Sequence, residues 1–512
     1  MPRQFFLLLI CLTSRVCLLS QDSLNMVKYA NVDIPNTEYG NCWGWVAPNG
    51  DEFAIIGHKT AINVYNVTNP RNPVLVHQRV DGSNTIWREF KSYQNFIYGV
   101  CESSEGLEIL NMNGYNFFQS TQHFTTAHTL QIDVPNGRLY VAGSNQGAAR
   151  EGLVIYDLTQ NPGNPTMIKK INFDTLLGNP SLNMYVHDVY VKDGIAYASH
   201  GYSGFYIWDL NDVNNIQLLG SLESSGSNQW YNHSSWLHDN GQYSYVAEEV
   251  PNGRPMAIFK LETDGQGNIA ISDIKRFKDP LALPATNNTP HNPYVLNNGL
   301  YISYYHDGIQ IYDVTSPENP IRVAYYDTYP ENNGSYSGYH GAWGVYPYLP
   351  SGTIIASDIE HGLYTLGLRF GRMNIQTGEL YVQEAGKGIV IMDSLGVNKR
   401  ISVSNAGAIV LTTVASPTGK NYVKNGDVEI VTPEKGIILT SPSGSTYSIK
   451  ISNTGVLSAS SVPPPATATK ISSGDLYLDN MHKGFILHSQ KGFRWKTSIT
   501  KSGLLKSYRF SF

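Results

Sequence analysis

Histidine and carboxylate side chains recur in this sequence at the ends of short apolar strands. In the stretch TPHNPYVLNNGLYISYYHDGIQIYDVTSPENP (289–320), His291 precedes one strand and His306 follows the next. Neutral imidazole with carboxylate is a common ligand set for transition metals, and histidine also transfers protons near neutral pH. The chemistry therefore depends on whether many copies of this unit bring such side chains together.

The strand GIQIYDV belongs to a pattern that recurs seven times, about 45 to 55 residues apart. The copies are AINVYNV (61–67), GLEILNM (106–112), GLVIYDL (152–158), GFYIWDL (204–210), PMAIFKL (255–261), GIQIYDV (308–314) and GLYTLGL (362–368). Another strand precedes each copy, and turns such as DVTSPENP follow several; an Asp or Asn that bonds its own backbone, then a Pro, ends the strand. Four antiparallel strands per unit predict an all-β fold, a seven-bladed β-propeller, in preference to two packed β-sandwiches.

Three segments are predicted along the chain. Residues 1–20 have the early Arg and apolar core of a secretory signal, although Cys17 leaves a lipoprotein signal open. Residues 21–370 form the propeller. The seventh unit lacks an outer strand, so we expect MVKYANVDI (26–34) to close the ring. Residues 371–512 hold three copies of a 48-residue repeat, beginning at Gly378, Gly426 and Gly474, and predict a β-solenoid or small β-stack for surface attachment or oligomerisation.

The propeller prediction selects two sets of candidate site residues. The first strand of each blade lines the central channel, and its start lies on the same face as the end of the second strand. Counting back about fifteen residues from the end of each second strand gives five histidines, His128, His187, His233, His291 and His340. In the other two blades the count gives Trp43 and Trp87, which are predicted as channel aromatics. The ends of the second strands supply His58, His200, His306, Glu102, Glu248, Asp307 and Asp358. A collar of imidazoles and carboxylates is therefore predicted at one mouth of the channel.

Three kinds of chemistry suit such a collar. Several ligands from separate blades can hold one divalent ion, and the abundance of histidine favours zinc or another transition metal over calcium. The same groups can act as acid and base on a substrate, although the sequence assigns no catalytic residue. The structural alternative is a wet channel lining whose histidines bond backbone carbonyls through water.

Composition limits the partners. The net charge of −5 gives no electrostatic reason to expect nucleic acid, and no interior apolar run is long enough for a transmembrane segment apart from the signal. After signal removal two cysteines remain, Cys42 and Cys101. In an exported chain they predict one disulfide between adjacent blades; two free buried thiols are the alternative.

Several long motifs resemble the choice-of-anchor B family, secreted bacterial proteins built from LVIVD-type propeller repeats. The motifs include AHTLQIDVPNGRLYVAGSN, YVHDVYVKDGIAYASHGYSGFYIWDL, HSSWLHDNGQYSYVAEE and GAWGVYPYLPSGTIIASDIEHGLYTL, and the resemblance covers roughly residues 26–370. It implies an exported propeller, extracellular or on the outer cell surface, with the periplasm as the alternative. It assigns no ligand. The C-terminus departs from the family's anchors, because it has neither a sortase motif nor a closing hydrophobic helix.

These observations favour a binding or scaffold protein over an enzyme. The expected partner is a metal, a small ligand, a protein or a surface polysaccharide. The alternatives are a metal-dependent hydrolase or lactonase-like propeller, and a purely structural surface protein whose C-terminal repeats form an oligomeric stalk.

Overall fold

A computed structural model of the chain describes most of residues 23–509, and the predicted signal lies outside the described residues. The undescribed positions are 1–22, 81–82, 147–148, 151, 180–182, 225–228, 282–286, 332–335, 369–372, 376–379, 383–384, 393–396, 415–421, 424–427, 431–434, 455, 466–468, 472–475, 479–483, 489–493, 500–504 and 510–512. Within the described part, the only helix is Phe173–Leu176, and no helix is long and apolar enough to cross a membrane.

Up to residue 368, the described strands form seven consecutive antiparallel sheets, called sheets 1 to 7, and one small separate hairpin. From the inner to the outer strand, sheet 1 is Tyr39–Val46, Glu52–His58, Ala61–Asn66, Val74–Val80; sheet 2 is Arg88–Tyr93, Phe96–Cys101, Leu107–Asn111, Asn116–Ser120; sheet 3 is Thr129–Asp133, Arg138–Ala142, Leu153–Asp157, Thr166–Ile171; and sheet 4 is Asp188–Lys192, Ile195–Ser199, Gly204–Asp209, Gln217–Glu223. Sheet 5 is Tyr231–Leu237, Tyr243–Val250, Met256–Thr263, Ile269–Phe277; sheet 6 is Asn292–Leu296, Gly299–Ser303, Ile309–Asp313, Ile321–Tyr326; and sheet 7 is Ala342–Tyr346, Ile354–Asp358, Gly362–Leu368, Met26–Val32. Asn145–Gln146 and Ala149–Arg150 form a separate small hairpin.

The inner strands of these sheets form a closed circuit. Each inner strand contacts the inner strand of the next sheet, and the inner strand of sheet 7 contacts that of sheet 1. Because a single sheet cannot bury both of its faces, each one packs its apolar side chains against its neighbours. The predicted β-propeller fold is confirmed.

The turns that end the third strands have the chemistry that the sequence predicts. Asp157 Oδ1 accepts a hydrogen bond from the backbone N–H of Thr159 at 2.7 Å, and Asp313 Oδ1 accepts one from Thr315 N–H at 2.9 Å. The same contact is made by Asn66, Asn111 and Asp209. In each case the side-chain oxygen accepts the backbone N–H two residues later, so the chain turns there instead of continuing the strand. The third strands of five sheets end in this way.

The N-terminal segment joins the last two sheets. Ser23–Leu24 pairs with the outer strand of sheet 6, and Met26–Val32 pairs antiparallel with Gly362–Leu368 as the fourth strand of sheet 7. A second contact links sheets 7 and 1: the Glu52 carboxylate accepts hydrogen bonds from Ser351 N–H at 2.7 Å and from Ser351 Oγ at 2.6 Å. The ring is therefore closed by residues about 300 to 340 positions apart in the sequence.

The predicted disulfide between Cys42 and Cys101 is wrong. Both residues are buried and both are free thiols. The Cys42 thiol interacts with Ser357 of sheet 7, whereas Cys101 lies beside Glu108 within sheet 2. The two side chains therefore face different neighbours, and burial raises the pKa of each thiol to about 12.

The C-terminal repeats interleave. Sheet 8 is Met373–Ile375, Val428–Ile430, Phe485–His488, Arg494–Ile499, Leu505–Arg509; sheet 9 is Leu457–Ser461, Thr446–Ile451, Ile437–Thr440, Leu380–Val382, Thr469–Ile471; and sheet 10 is Ile409–Thr413, Asn398–Val403, Ile389–Met392, Leu476–Leu478, Tyr422–Val423. Each of the three sheets takes strands from two of the three repeats, and sheet 8 also takes Met373–Ile375, which precedes the first repeat. Strands from different segments pair in parallel, and each sheet ends in an antiparallel hairpin from one repeat. Their buried Leu, Ile, Val and Phe side chains form one shared core.

Candidate functional site

Four of the predicted histidines converge at the channel. His128, His187, His233 and His291 come from four consecutive sheets, and their ring centroids are 4.0, 4.4 and 4.5 Å apart in that order. One ligand atom from each of His128, His187 and His233 lies within 4.8 Å of the others. A second set with the same spacing consists of His233, His291 and Glu249. We call the four imidazoles the histidine cluster.

Backbone pairing at the start of the inner strands positions three of the four histidines. His128, His187 and His291 each stand just before an inner strand, where the backbone N–H donates to a second-strand carbonyl: to Ala142 O at 3.1 Å, to Ser199 O at 2.8 Å and to Ser303 O at 2.9 Å, respectively. His233 lies inside its strand, where the pairing register shifts between Asn232 and Ser234. A bulge turns a side chain out of the regular alternation, so His233 reaches the cluster from within a strand.

Hydrogen bonds to Nδ1 determine which ring nitrogen remains available. His187 Nδ1 lies 2.9 Å from His233 O, and His291 Nδ1 lies 2.6 Å from Trp343 O. A carbonyl can only accept, so Nδ1 carries the proton in both rings and Nε2 keeps its lone pair. His128 Nδ1 lies 2.5 Å from a Glu102 carboxylate oxygen, an arrangement that orients metal-binding histidines in many proteins.

Burial keeps most of the cluster neutral. It lowers the pKa of His187 and His233 well below the usual value, with a further lowering from their histidine neighbours, and it lowers the pKa of His291 to about 3. Burial also opposes the protonation of His128, but the bond to Glu102 and the charge of that carboxylate outweigh it, so its pKa is raised. Neutral imidazole is the form that binds metal ions.

One carboxylate completes the cluster. A Glu249 oxygen lies 3.7 Å from His233 Nε2, and the Tyr305 hydroxyl donates to the other Glu249 oxygen at 2.7 Å. Burial raises the pKa of Glu249, although the Tyr305 hydrogen bond opposes this. Glu249 therefore places a carboxylate next to the imidazoles of His233 and His291.

A charged group lies further along the channel wall. Glu89 and Lys91 are buried, Asp188 is half-buried, and Lys91 Nζ lies 3.8 Å from a Glu89 oxygen. Burial raises the pKa of both acids and lowers the pKa of Lys91; the opposite charges of these groups act against each shift. Two carboxylates face one ammonium group, so the wall beside the histidine cluster is suited to a further cation.

The histidine cluster surrounds a small cavity. About 30 Å³ of it is open to the centre of a water-sized sphere, enough for an ion or a few waters. His233 Nδ1, Ser235 Oγ and Trp343 Nε1 border it, are buried, and have no hydrogen-bond partner among the described residues. Buried polar atoms are normally paired, so this cavity is suited to a polar occupant.

The other predicted histidines lie outside the cluster. His58 packs edge-to-face on Tyr39, and His200 accepts a hydrogen bond from Trp208 Nε1 at 3.2 Å. His306 and His340 contact each other, with ring centroids 5.5 Å apart, and His340 Nδ1 pairs with Glu360.

Most of the predicted carboxylates form ion pairs or hydrogen bonds with residues outside the histidine cluster. Glu248 forms buried ion pairs with Arg254 and Arg276, Asp307 accepts from Asn288 and Tyr336, and Asp358 accepts from the backbone and ring of His361. Trp43 lines the opposite end of the channel and Trp87 is 48% exposed at the edge of the small cavity.

Sequence reasoning missed two members of the site. Trp343 takes the position expected for His340, and its ring centroid lies 4.9 Å from that of His291. A strict count of fifteen residues back from Asp358 (358 − 15 = 343) finds it, whereas His340 lies three residues earlier. Glu249 stands beside the predicted Glu248 at the end of the second strand, but the sequence does not show which of the two faces the cluster, because that depends on the bulge in sheet 5.

Comparisons with known proteins give no assignment. No protein-family description matches the sequence, and no curated protein matches it. Chains of solved structure do resemble it. One is the β-propeller domain of Cps50 (Swd1) from Myceliophteria thermophila, which is 9% identical with a TM-score of 0.44 over 64% of this chain and 98% of that chain.

Proposed function

We propose that this protein is a metal-binding β-propeller that acts as a binding protein outside the cytoplasm. The observation that carries the proposal is the histidine cluster, in which imidazoles from four consecutive sheets line a small cavity, with ring centroids of successive histidines 4.0 to 4.5 Å apart. Export is supported by the signal-like residues 1–20 and by the resemblance to secreted propellers of the choice-of-anchor B family.

The ligand atoms favour a transition metal. Imidazole nitrogen binds zinc, copper, nickel and iron, at about 2.0–2.1 Å for zinc, so that tetrahedral ligands stand roughly 3.4 Å apart. The ligand atoms lie up to 4.8 Å apart in each set, so the imidazole rings would have to move closer together when an ion binds. Calcium is disfavoured because Glu249 is the only carboxylate in the two ligand sets found among the described residues.

A hydrolytic function is the second candidate, and Glu249 is the observation that favours it. If His128, His187 and His233 held the ion, Glu249 would remain free, and its position 3.7 Å from His233 Nε2 would let it accept a proton from a water that the ion activates. A Glu249→Gln variant that keeps its metal but loses hydrolysis of ester or lactone substrates would support this candidate. Hydrolysis undetectable in the wild-type protein would leave binding as the function.

Elemental analysis tests the metal proposal. We expect protein purified without chelator to hold about one transition-metal ion per chain. His233→Gln, which removes the residue shared by both ligand sets, should lower the metal content at least tenfold. His340→Gln is the matched control, because His340 is 43% exposed and paired with Glu360 outside the cluster.

Circular dichroism of each variant checks that the β-fold is retained. Equal metal content in His233→Gln and His340→Gln would overturn the proposal. So would a wild-type protein that binds none of zinc, nickel, copper or iron(II) in titrations at micromolar concentration.

A further inference from the structure

The opposite end of the channel opens into a second, larger cavity, which we call the aromatic cup. It has a volume of about 400 Å³, within the range of small-ligand pockets. Its walls carry five aromatic side chains: Trp43, Tyr190, Trp236, Tyr346 and Tyr348. It shares Lys91, Gln131, Tyr190 and Trp236 with the small cavity, so both belong to one channel.

The aromatic walls are held rigidly. Trp43 packs on Tyr346 at a centroid distance of 4.7 Å, and its Nε1 donates to Ser92 Oγ at 3.1 Å. Trp236 packs on Tyr190 at 4.4 Å, and the Tyr348 hydroxyl donates to a backbone carbonyl at 3.1 Å. Rings fixed in this way lose little conformational entropy when a ligand binds.

The inner wall of the cup holds polar groups with unused hydrogen-bonding capacity. Gln131 is 7% exposed, lines both cavities, and forms no side-chain hydrogen bond with another described residue. The Lys91 ammonium lies 3.8 Å from a Glu89 oxygen and 4.1 Å over the ring of Trp43, and the charge of Asp188 also acts on it. An amide and an ammonium donor thus point into an aromatic cavity, and buried polar groups of this kind normally have a partner.

The charges around the cup select the class of ligand. Its lining contains two bases and two acids: Lys91, Lys192, Asp133 and Asp193. Asp133 is already used, since it accepts from Gly194 N–H at 2.8 Å and from Asn136 Nδ2 at 2.7 Å. This balance favours neither an anion nor a cation. Aromatic faces with a few inward donors and acceptors suit a neutral ligand that has both C–H faces and hydroxyl groups.

We infer that the aromatic cup binds a neutral saccharide unit, whose C–H face stacks on the Trp and Tyr rings while Gln131 and Lys91 bond its hydroxyl oxygens. None of the four histidines lines the cup, so the residues proposed to hold the metal differ from those proposed to hold the saccharide, although Tyr190 and Trp236 border both cavities.

Titration of the metal-free, full-length protein with neutral mono- and oligosaccharides, followed by tryptophan fluorescence and calorimetry, tests the inference. We expect saturable binding to at least one neutral saccharide, and Trp236→Ala should weaken it at least tenfold. Gln131→Met keeps the side-chain shape while removing the amide, and should also weaken binding. Phe118→Ala is the control, because Phe118 is exposed on the outer strand of sheet 2.

Use of metal-free protein keeps this test independent of the histidine cluster. Binding only of acidic sugars would overturn the inference, because it would show that the lysines dominate. The absence of binding across the neutral panel at millimolar concentration would also overturn it, as would equal binding by the wild type and both cup variants.

Discussion

At the scale of single residues, hydrogen-bond partners decide what each histidine can do. His187 and His291 donate Nδ1–H to backbone carbonyls, whereas His128 Nδ1 bonds the Glu102 carboxylate. The carbonyl contacts fix a neutral tautomer, and the carboxylate also makes the ring a stronger base. Three histidines of one cluster therefore present Nε2, and His128 differs from the other two in basicity.

The Glu102 contact leads to a prediction about metal affinity. Glu102→Gln should weaken metal binding about 10- to 100-fold, because carboxylate partners orient metal-binding imidazoles and raise their basicity. Titration with zinc followed by calorimetry measures the change. Glu105→Gln is the matched control, since Glu105 bonds Gln119 on the same sheet and does not contact the cluster. Equal losses in both variants would contradict the role of Glu102.

His200 leads to a prediction about acid stability. It is buried between Met184 O and Trp208 Nε1, and burial lowers its pKa to about 3. The unfolded chain takes up this proton near pH 6.5, so the free energy of unfolding falls as the pH drops from about 6.5 toward 3. Between pH 7 and pH 5, His200→Gln should lose about 2 kcal/mol less stability than the wild type. Urea unfolding at the two pH values measures the difference, and parallel losses would show that His200 is not buried in neutral form.

His361 should have the opposite pH dependence. The hydrogen bond to Asp358 and the charges of Asp358 and Glu331 together raise its pKa to about 9, against a lowering by burial. The folded state therefore holds this proton more tightly than the unfolded state does. Its contribution to stability is complete below about pH 6.5 and is lost as the pH rises through 9. His361→Gln should thus destabilise the protein more at pH 6 than at pH 9.5 in urea unfolding. An equal effect at both values would contradict the ion pair.

At the scale of the elements, strand packing explains why a glycine occurs at the start of the third strand. Gly308 stands just before the third strand of sheet 6 with a φ of 64°, and a Cβ there would lie 2.1 Å from Tyr326 O of the outer strand. The same combination of positive φ and a close outer-strand carbonyl occurs at Gly106, Gly204 and Gly362. The glycine that opens the repeated motif therefore allows the third and fourth strands to meet.

This packing predicts the cost of adding one methyl group. Gly308→Ala should lower the free energy of unfolding by about 2–4 kcal/mol, from the left-handed backbone and the carbonyl clash together. Gly265→Ala, in a turn where a Cβ meets nothing, should change it by less than about 0.5 kcal/mol. Chemical unfolding of both variants tests the difference. Similar free energies of unfolding would show that the outer strand moves to make room for the methyl group.

At the scale of the whole molecule, the C-terminal repeats of a single chain pair their strands with one another and share one core. Each of sheets 8 to 10 combines strands of two repeats, and residues such as Leu380, Ile437 and Phe485, one from each repeat, share one core. An oligomeric stalk would require such interleaving between separate chains. Here the three repeats of one chain supply it.

The full-length protein should therefore be a monomer through this region. Sedimentation equilibrium should give the mass of one chain, 56.7 kDa before any processing, independent of protein concentration in the micromolar range. A threefold mass would support the oligomeric stalk and contradict a core closed within the chain.

The sequence by itself determined the repeating strands, the Asx turns that end them and the histidines at the starts of inner strands. These features follow from local rules, because strand period, turn chemistry and repeat spacing are written in neighbouring residues. The third strand of sheet 6 and its turn at Asp313 are examples.

Only the tertiary structure decided which of these side chains meet. Neighbouring strand residues point to opposite faces, so Glu248 pairs with two arginines while Glu249, one position later, joins the histidine cluster. A shift of three residues puts Trp343 in place of His340, and the directions of Cys42 and Cys101 exclude a disulfide. Bulges and the packing between sheets set these directions, and both depend on contacts between segments far apart in the chain.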